Sequence, residues 1–190
     1  MMAQEMSHRM KNMLATVNSI VNQSMRGNQP VDAMRQNITE RLDALARSHD
    51  VLGGRDFGSA SIRDAVDKAI EPFNTSGRIQ SAGPDFDLTH QAGTSLALAL
   101  HELATNAVKY GALSNNNGQV RVEWFLEADN FVFVWKETGG PSVRQPERTG
   151  FGSRLIKMLG ISLQGSATID YQPDGVVFEA RTSRASLSAQ

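Results

Sequence analysis

The hydrophobic period of this chain changes once, at the glycine pair Gly53-Gly54, and that change limits the folds open to it. Ahead of the pair, Met2, Met6, Met10, Met13, Val17, Ile20 and Val21 recur at the spacing of one helix face. Gly27-Asn28-Gln29-Pro30 then interrupts, with glycine ending one helix and proline opening the next. Met34, Ile38, Leu42, Leu45, His49 and Leu52 mark a second stripe, which Gly53 and Gly54 close. The pattern predicts a helical hairpin over residues 1–54. Two helices with one stripe each cannot cover both stripes between them. A second copy completing a four-helix bundle is the simplest partner, and docking on the rest of the same chain is the alternative.

Beyond the glycines the pattern mixes periods. Helices are expected over Ile62 to Phe73, Thr94 to Tyr110 (stopped by Gly111) and Arg154 to Leu163. A short strand is expected over Arg78 to Ala82. Val120, Val122, Trp124 and Leu126 alternate with polar residues in a strand from Gln119 to Glu127. A strand from Phe131 to Glu137 carries the apolar run Phe131 to Trp135, which indicates burial on both faces. Asp129 and Asn130 fit the turn between these two. A last hairpin joins Ala167 to Tyr171 with Val176 to Thr182 across Pro173-Asp174-Gly175. Helices with mostly antiparallel strands in this order give an α+β class, a layered sandwich over residues 55–185, with 186–190 as a flexible tail.

Composition narrows the chemistry. The 190 residues contain 19 Lys and Arg against 20 Asp and Glu, a net charge of -1, without the basic excess of a dedicated nucleic-acid binder. The absence of cysteine excludes disulfides, thiolate zinc sites and cysteine nucleophiles. No apolar run approaches the roughly 20 residues that span a bilayer, and the N-terminus lacks the apolar stretch of a signal peptide. A cytoplasmic protein is expected.

His8 lies opposite the apolar stripe of the first helix, facing solvent, with Glu5 three residues before it and Asn12 four after it on the same face. A neutral imidazole is a nucleophile, and Glu5 is placed to take or orient its proton. An ordinary surface histidine is the plainer alternative. His49, on an apolar stripe, reads as a hydrogen-bonded core residue.

The segment His101-Glu102-Leu103-Ala104-Thr105-Asn106-Ala107-Val108-Lys109-Tyr110-Gly111 combines a packing face, built on Leu96, Leu100, Leu103 and Ala107, with a polar one. Glu102, Asn106, Lys109 and Tyr110 fall on that polar face, and a carboxylate, a carboxamide and an ammonium together suit Mg²⁺ and phosphates. A solvated helix face is the alternative. The strand ending Trp135-Lys136-Glu137 runs into Thr138-Gly139-Gly140-Pro141, where an acidic group can accept the hydrogens of an adenine amino group and glycines admit a ligand to the backbone. Gly150-Phe151-Gly152-Ser153 then precedes a helix, whose N-terminal N–H groups suit phosphate.

These segments together resemble the HWE histidine kinases, a subgroup of two-component sensor kinases, from Glu5 to about Thr182. The most specific parts are Ser7-His8-Arg9-Met10-Lys11-Asn12, the box opening His101-Glu102, and Trp135-Lys136-Glu137. The stretch Arg41-Leu42-Asp43-Ala44-Leu45-Ala46-Arg47-Ser48-His49-Asp50 is similar to the second dimerisation helix of the group. The resemblance implies a dimerisation and histidine-phosphotransfer hairpin followed by a Bergerat-type ATP-binding domain of the GHKL kind, using ATP and Mg²⁺. It implies that His8 is the phosphorylated histidine and that Asn106 binds Mg²⁺ with Glu102 close by. Lys109 would contact phosphate and Tyr110 would lie near the nucleotide. Glu137 stands where most histidine kinases use an aspartate for adenine, and Gly139, Gly140, Gly150 and Gly152 shape the nucleotide loops.

The activity implied is autophosphorylation with Mg-ATP, then transfer to an aspartate on a response regulator receiver domain. The expected assembly is a homodimer through the hairpin, with an upstream sensor domain missing from this chain. Three other readings remain at this level: a phosphotransfer protein with a degenerate nucleotide domain, a GHKL ATPase or serine kinase whose hairpin is a partner-binding module, and a non-enzymatic dimerisation scaffold that docks a regulator.

Overall fold

The computed structural model of the chain describes residues 10, 13–15, 17–18, 20–22, 24–25, 30–52, 59–143, 160 and 164–187. The described residues between Met10 and Ser24 are helical, and after Pro30 the second helix of the hairpin, α1, runs Val31–Leu52. Then follow β1 Ser59–Ser61, α2 Ile62–Ile70, β2 Ile79–Ala82, β3 Asp87–Thr89, α3 His90–Lys109, β4 Gln119–Glu127, β5 Asn130–Thr138, β6 Ser166–Gln172 and β7 Gly175–Ser183.

Five strands form one sheet in the order β2-β4-β5-β7-β6. Three of its pairings are antiparallel and β2 runs parallel to β4, from Ile79 opposite Val120 to Ala82 opposite Glu123. Alternation along β4 and β5 puts Val120, Val122 and Trp124 beside Phe131, Phe133 and Trp135 on one face, and all six are buried. Phe178 and Ala180 of β7 continue that face, against Ile62, Val66 and Ile70 of α2 and Leu96, Leu100, Leu103 and Ala107 of α3. The chain is therefore an α+β sandwich of sheet and helices. Val132, pointing to the opposite face of β5, is also fully buried, as the apolar run of that strand led us to expect.

Several boundaries differ from the sequence expectation. α2 stops at Ile70 and a 3₁₀ turn, Glu71–Phe73, finishes the segment, because Pro72 has no N–H with which to continue an α-helix. α3 begins at His90, ahead of Thr94: the Thr89 hydroxyl accepts from the Ala92 N–H at 3.2 Å and caps it. The turn after β4 is Ala128-Asp129, and Asn130 already pairs with Glu127. Strands β1 and β3 were not anticipated. They pair antiparallel, Ser59 with Thr89 and Ser61 with Asp87, too short to leave a pattern. The tail expected to be loose is packed as far as Leu187, whose side chain is buried and whose carbonyl accepts the Thr89 N–H at 2.9 Å. The helix expected from Arg154 to Leu163 lies outside the described residues, except that Gly160 is helical.

Part of the hairpin stripe is covered by its own chain. Ile20 and Leu45 are buried together with Leu98 of α3, flanked by Val17 and Leu42. Met10, Met13, Leu14, Met25 and Val31 remain exposed.

Candidate nucleotide site

α3 sorts its side chains as its spacing requires. His101 is buried and meets the Phe73 ring edge-on, with centroids 5.2 Å apart, so it belongs to the packing side. Glu102, Asn106 and Lys109 follow one another along the polar face. Asn106 is exposed. Its carbonyl accepts the Tyr110 N–H at 2.8 Å and the Gly111 N–H at 3.1 Å, closing the helix. Tyr110 is 73% exposed at the C-cap.

Two of the charged groups on this face are held by the hairpin. Arg41 of α1 reaches Glu102 with Nε to Oε1 at 2.6 Å and Nη2 to Oε2 at 3.3 Å, a fork onto a buried carboxylate. The same guanidinium donates from Nη1 to the Ser24 hydroxyl at 2.6 Å. Lys109 Nζ lies 3.8 Å from Glu40 Oε2.

Glu137, at the end of β5, is 3% exposed. Its Oε2 accepts the Ala112 N–H at 2.8 Å and its Oε1 accepts the Trp135 indole N–H at 3.1 Å. Trp135 can do this because residues two apart on a strand share a face. Burial raises the Glu137 pKa above the ordinary glutamate value, and the two N–H donors pull part of that shift back.

The turn that leaves α3 lies directly on this carboxylate. A Cβ on Gly111 would collide with Glu137 Oε2, and one on Gly140 would come within 2.7 Å of the Ala112 Cα. Gly139 has φ +71°, which favours glycine. The buried acid and the polar face of α3 are thus joined through Gly111-Ala112. The loop beyond is fixed by Asn115, whose Oδ1 accepts the Asn117 and Gly118 N–H groups while Nδ2 donates to the Gly139 carbonyl at 3.0 Å. Arg78 gathers the carbonyls of Leu113, Asn115 and Gly118.

Of the residues singled out in the sequence, the structure therefore brings together Glu102, Asn106, Lys109, Tyr110, Glu137, Gly139 and Gly140. Glu5, His8, Asn12, Gly150 and Gly152 lie outside the described residues. Sequence reasoning missed Ser24, Glu40, Arg78, Ala112 and Asn115, and named Arg41 only within the stretch similar to a second dimerisation helix. Only the run Asn115-Asn116-Asn117-Gly118 carried a signal, that of a turn. Among the described residues no group of three or more His, Asp or Glu gathers to hold a metal by itself.

Comparison with known proteins fits this geometry. The family model of the HWE histidine kinases matches residues 5–85. A blue-light-activated histidine kinase of Brucella anthropi is 41% identical over 186 residues, and one of Brucella ovis is 36% identical over 186 residues. Each alignment covers 94% of this chain, and the chain spans 38% of the length of each of these relatives. Among solved structures, the histidine kinase domain of Erythrobacter litoralis EL346 blue-light activated histidine kinase shares the fold. Its TM-score is 0.62 at 12% identity, covering 92% of this chain and 95% of that one.

Proposed function

Because the chain belongs to the HWE histidine kinases, we propose that it is an ATP-dependent protein-histidine kinase that phosphorylates His8 and passes the phosphoryl group to a response-regulator aspartate. The observation that carries this reading is the junction at Gly111-Ala112. It sets a buried, doubly held carboxylate beside the end of a helix face bearing Glu102, Asn106 and Lys109.

Each group has a task that its surroundings suit. Glu137 accepts the hydrogens of the adenine amino group, and Gly139 and Gly140 let the backbone close on the base. Lys109 offers a point charge to phosphate. The Asn106 carboxamide oxygen would be the protein ligand for Mg²⁺, an ion that takes oxygen ligands. When bound, Mg²⁺ neutralises phosphate charge. Tyr110 lies beside the nucleotide, and Gly150 and Gly152 complete its loops. A lone pair of the His8 imidazole attacks the γ-phosphorus, the bond to the leaving ADP oxygen breaks, and the ring proton passes to Glu5, with Asn12 alongside. Catalysis by such a site is positioning and charge neutralisation.

We further propose that the exposed Met13, Leu14 and Met25 of the hairpin pair with a second copy. A cytoplasmic location is part of the same proposal. Among the described residues no helix is long and apolar enough to cross a membrane.

The test is incubation of the purified chain with Mg²⁺ and γ-labelled ATP beside His8→Ala. Acid-labile, alkali-stable label on the wild type and none on the variant is the expected result. Label that survives His8→Ala, or is stable in acid, would overturn the assignment.

A further inference from the structure

We infer that the hairpin competes with Mg-ATP for α3: the adjacent residues Glu40 and Arg41 occupy Lys109 and Glu102, the two charged groups of the polar face, so nucleotide binding and hairpin docking oppose each other. This rests on the reading of that face as the nucleotide site.

The charges are matched in mirror image. A carboxylate and a guanidinium stand next to each other on α1, and each meets its opposite on α3. The Arg41–Glu102 contact is a built joint. Its side chains are 14% and 9% exposed, and Ser24 takes a further N–H of the same guanidinium, so both hairpin helices and α3 meet at one group. The apolar contact continues the same crossing. Leu45 lies four residues after Arg41 and Leu98 four residues before Glu102, and the two leucines are buried together with Ile20. The helices therefore cross antiparallel, with the ion pair and the leucine pair on successive turns.

The direction of coupling follows from charge. A phosphate approaching Lys109 meets the Glu40 carboxylate, a like charge already using that ammonium. A Glu102 carboxylate forked by Arg41 has its charge balanced and both oxygens engaged, so ions beside the phosphates must compete with that fork for it. Whatever stabilises docking is subtracted from ATP binding, and by reciprocity ATP weakens docking to the same degree. The nucleotide itself then frees the hairpin that carries the phosphoacceptor.

Calorimetric titration with Mg-ATP tests this on wild type, Glu40→Gln and Arg41→Gln. The exposed pair made by Glu40 should yield about a two- to five-fold tighter affinity when it is removed. Removing the buried guanidinium should yield about ten-fold. Glu40→Gln guards against misfolding in Arg41→Gln, because its side chain is 35% exposed. The chain has no cysteine, so spin labels on Val31→Cys and Asn116→Cys report the hairpin-to-domain distance without background. That distance should lengthen or broaden when Mg-ATP is added to the wild type, and should already do so in Arg41→Gln without nucleotide. Unchanged affinity in both variants with an unchanged distance overturns the competition. Weaker ATP binding in Arg41→Gln overturns it too, by making Arg41 a support of the site. If the wild type binds no Mg-ATP, the reading of the site fails and the inference falls with it.

Discussion

Trp135 donates its indole N–H to Glu137 Oε1 at 3.1 Å, so the two side chains that share one face at the end of β5 form a unit in which the tryptophan fixes the acid. Trp135 is fully buried and spans the core side of the sheet, while Glu137 sits where the sheet meets the end of α3. The N–H leaves Glu137 one carboxylate orientation out of several.

Trp135→Phe keeps an aromatic ring but removes that donor and part of the buried side-chain volume. It should destabilise the fold by about 1–3 kcal/mol or more, from a buried acceptor left short of one partner and from the void where the larger ring was. It should also weaken binding of ATP more than binding of a nucleotide lacking the adenine amino group. Titration of both nucleotides, with thermal unfolding alongside, checks this. Equal losses would separate the tryptophan from base recognition.

Gly111→Ala places a methyl group against Glu137 Oε2. The carboxylate must then shift, and its bond to the Ala112 N–H stretches or breaks. ATP affinity should fall while the sheet persists, which circular dichroism and nucleotide titration together would show.

The pH dependence of stability should carry the mark of Glu137. Its pKa is raised on folding, mainly by burial, so the folded state holds its proton more tightly than the unfolded state does. Its contribution is fully present below the unfolded pKa and is lost as pH rises through the raised folded value. Glu137→Gln cannot titrate. Urea unfolding of both proteins across this window should show the variant gaining relative to wild type as pH rises. A constant difference would mean that Glu137 titrates alike in both states.

Asn106→Ala should lower Mg-ATP affinity about ten-fold or more while leaving metal-free ATP binding less affected. Asn106 is exposed, so the fold should keep its stability. Titration with Mg²⁺ and with a chelator distinguishes the two effects. An identical loss in both would remove the metal role.

The α3 site and the β5 site were both legible in the sequence, because each is a local pattern. Spacing along α3 already puts Glu102, Asn106 and Lys109 on one face, and alternation along β5 puts Trp135 beside Glu137. The β1–β3 pair and the helix start at His90 were not legible. Three-residue strands have no period to read, and the Thr89 cap lies ahead of the first apolar repeat.

By itself the sequence determined the helices of the hairpin, the α+β class and which residues share the polar face of α3 and the end of β5, since hydrophobic period and turn chemistry act over a few neighbouring positions. Only the tertiary structure decided what those residues touch. The Arg41–Glu102 pair joins positions 61 residues apart, the Ala112–Glu137 bond joins positions 25 apart, and Leu98 covers Ile20 and Leu45 of a stripe for which the sequence allowed either a second copy or the same chain. Such contacts follow from how helices and sheet pack in three dimensions. Packing depends on shape and charge across the whole core, which no local window of the chain contains.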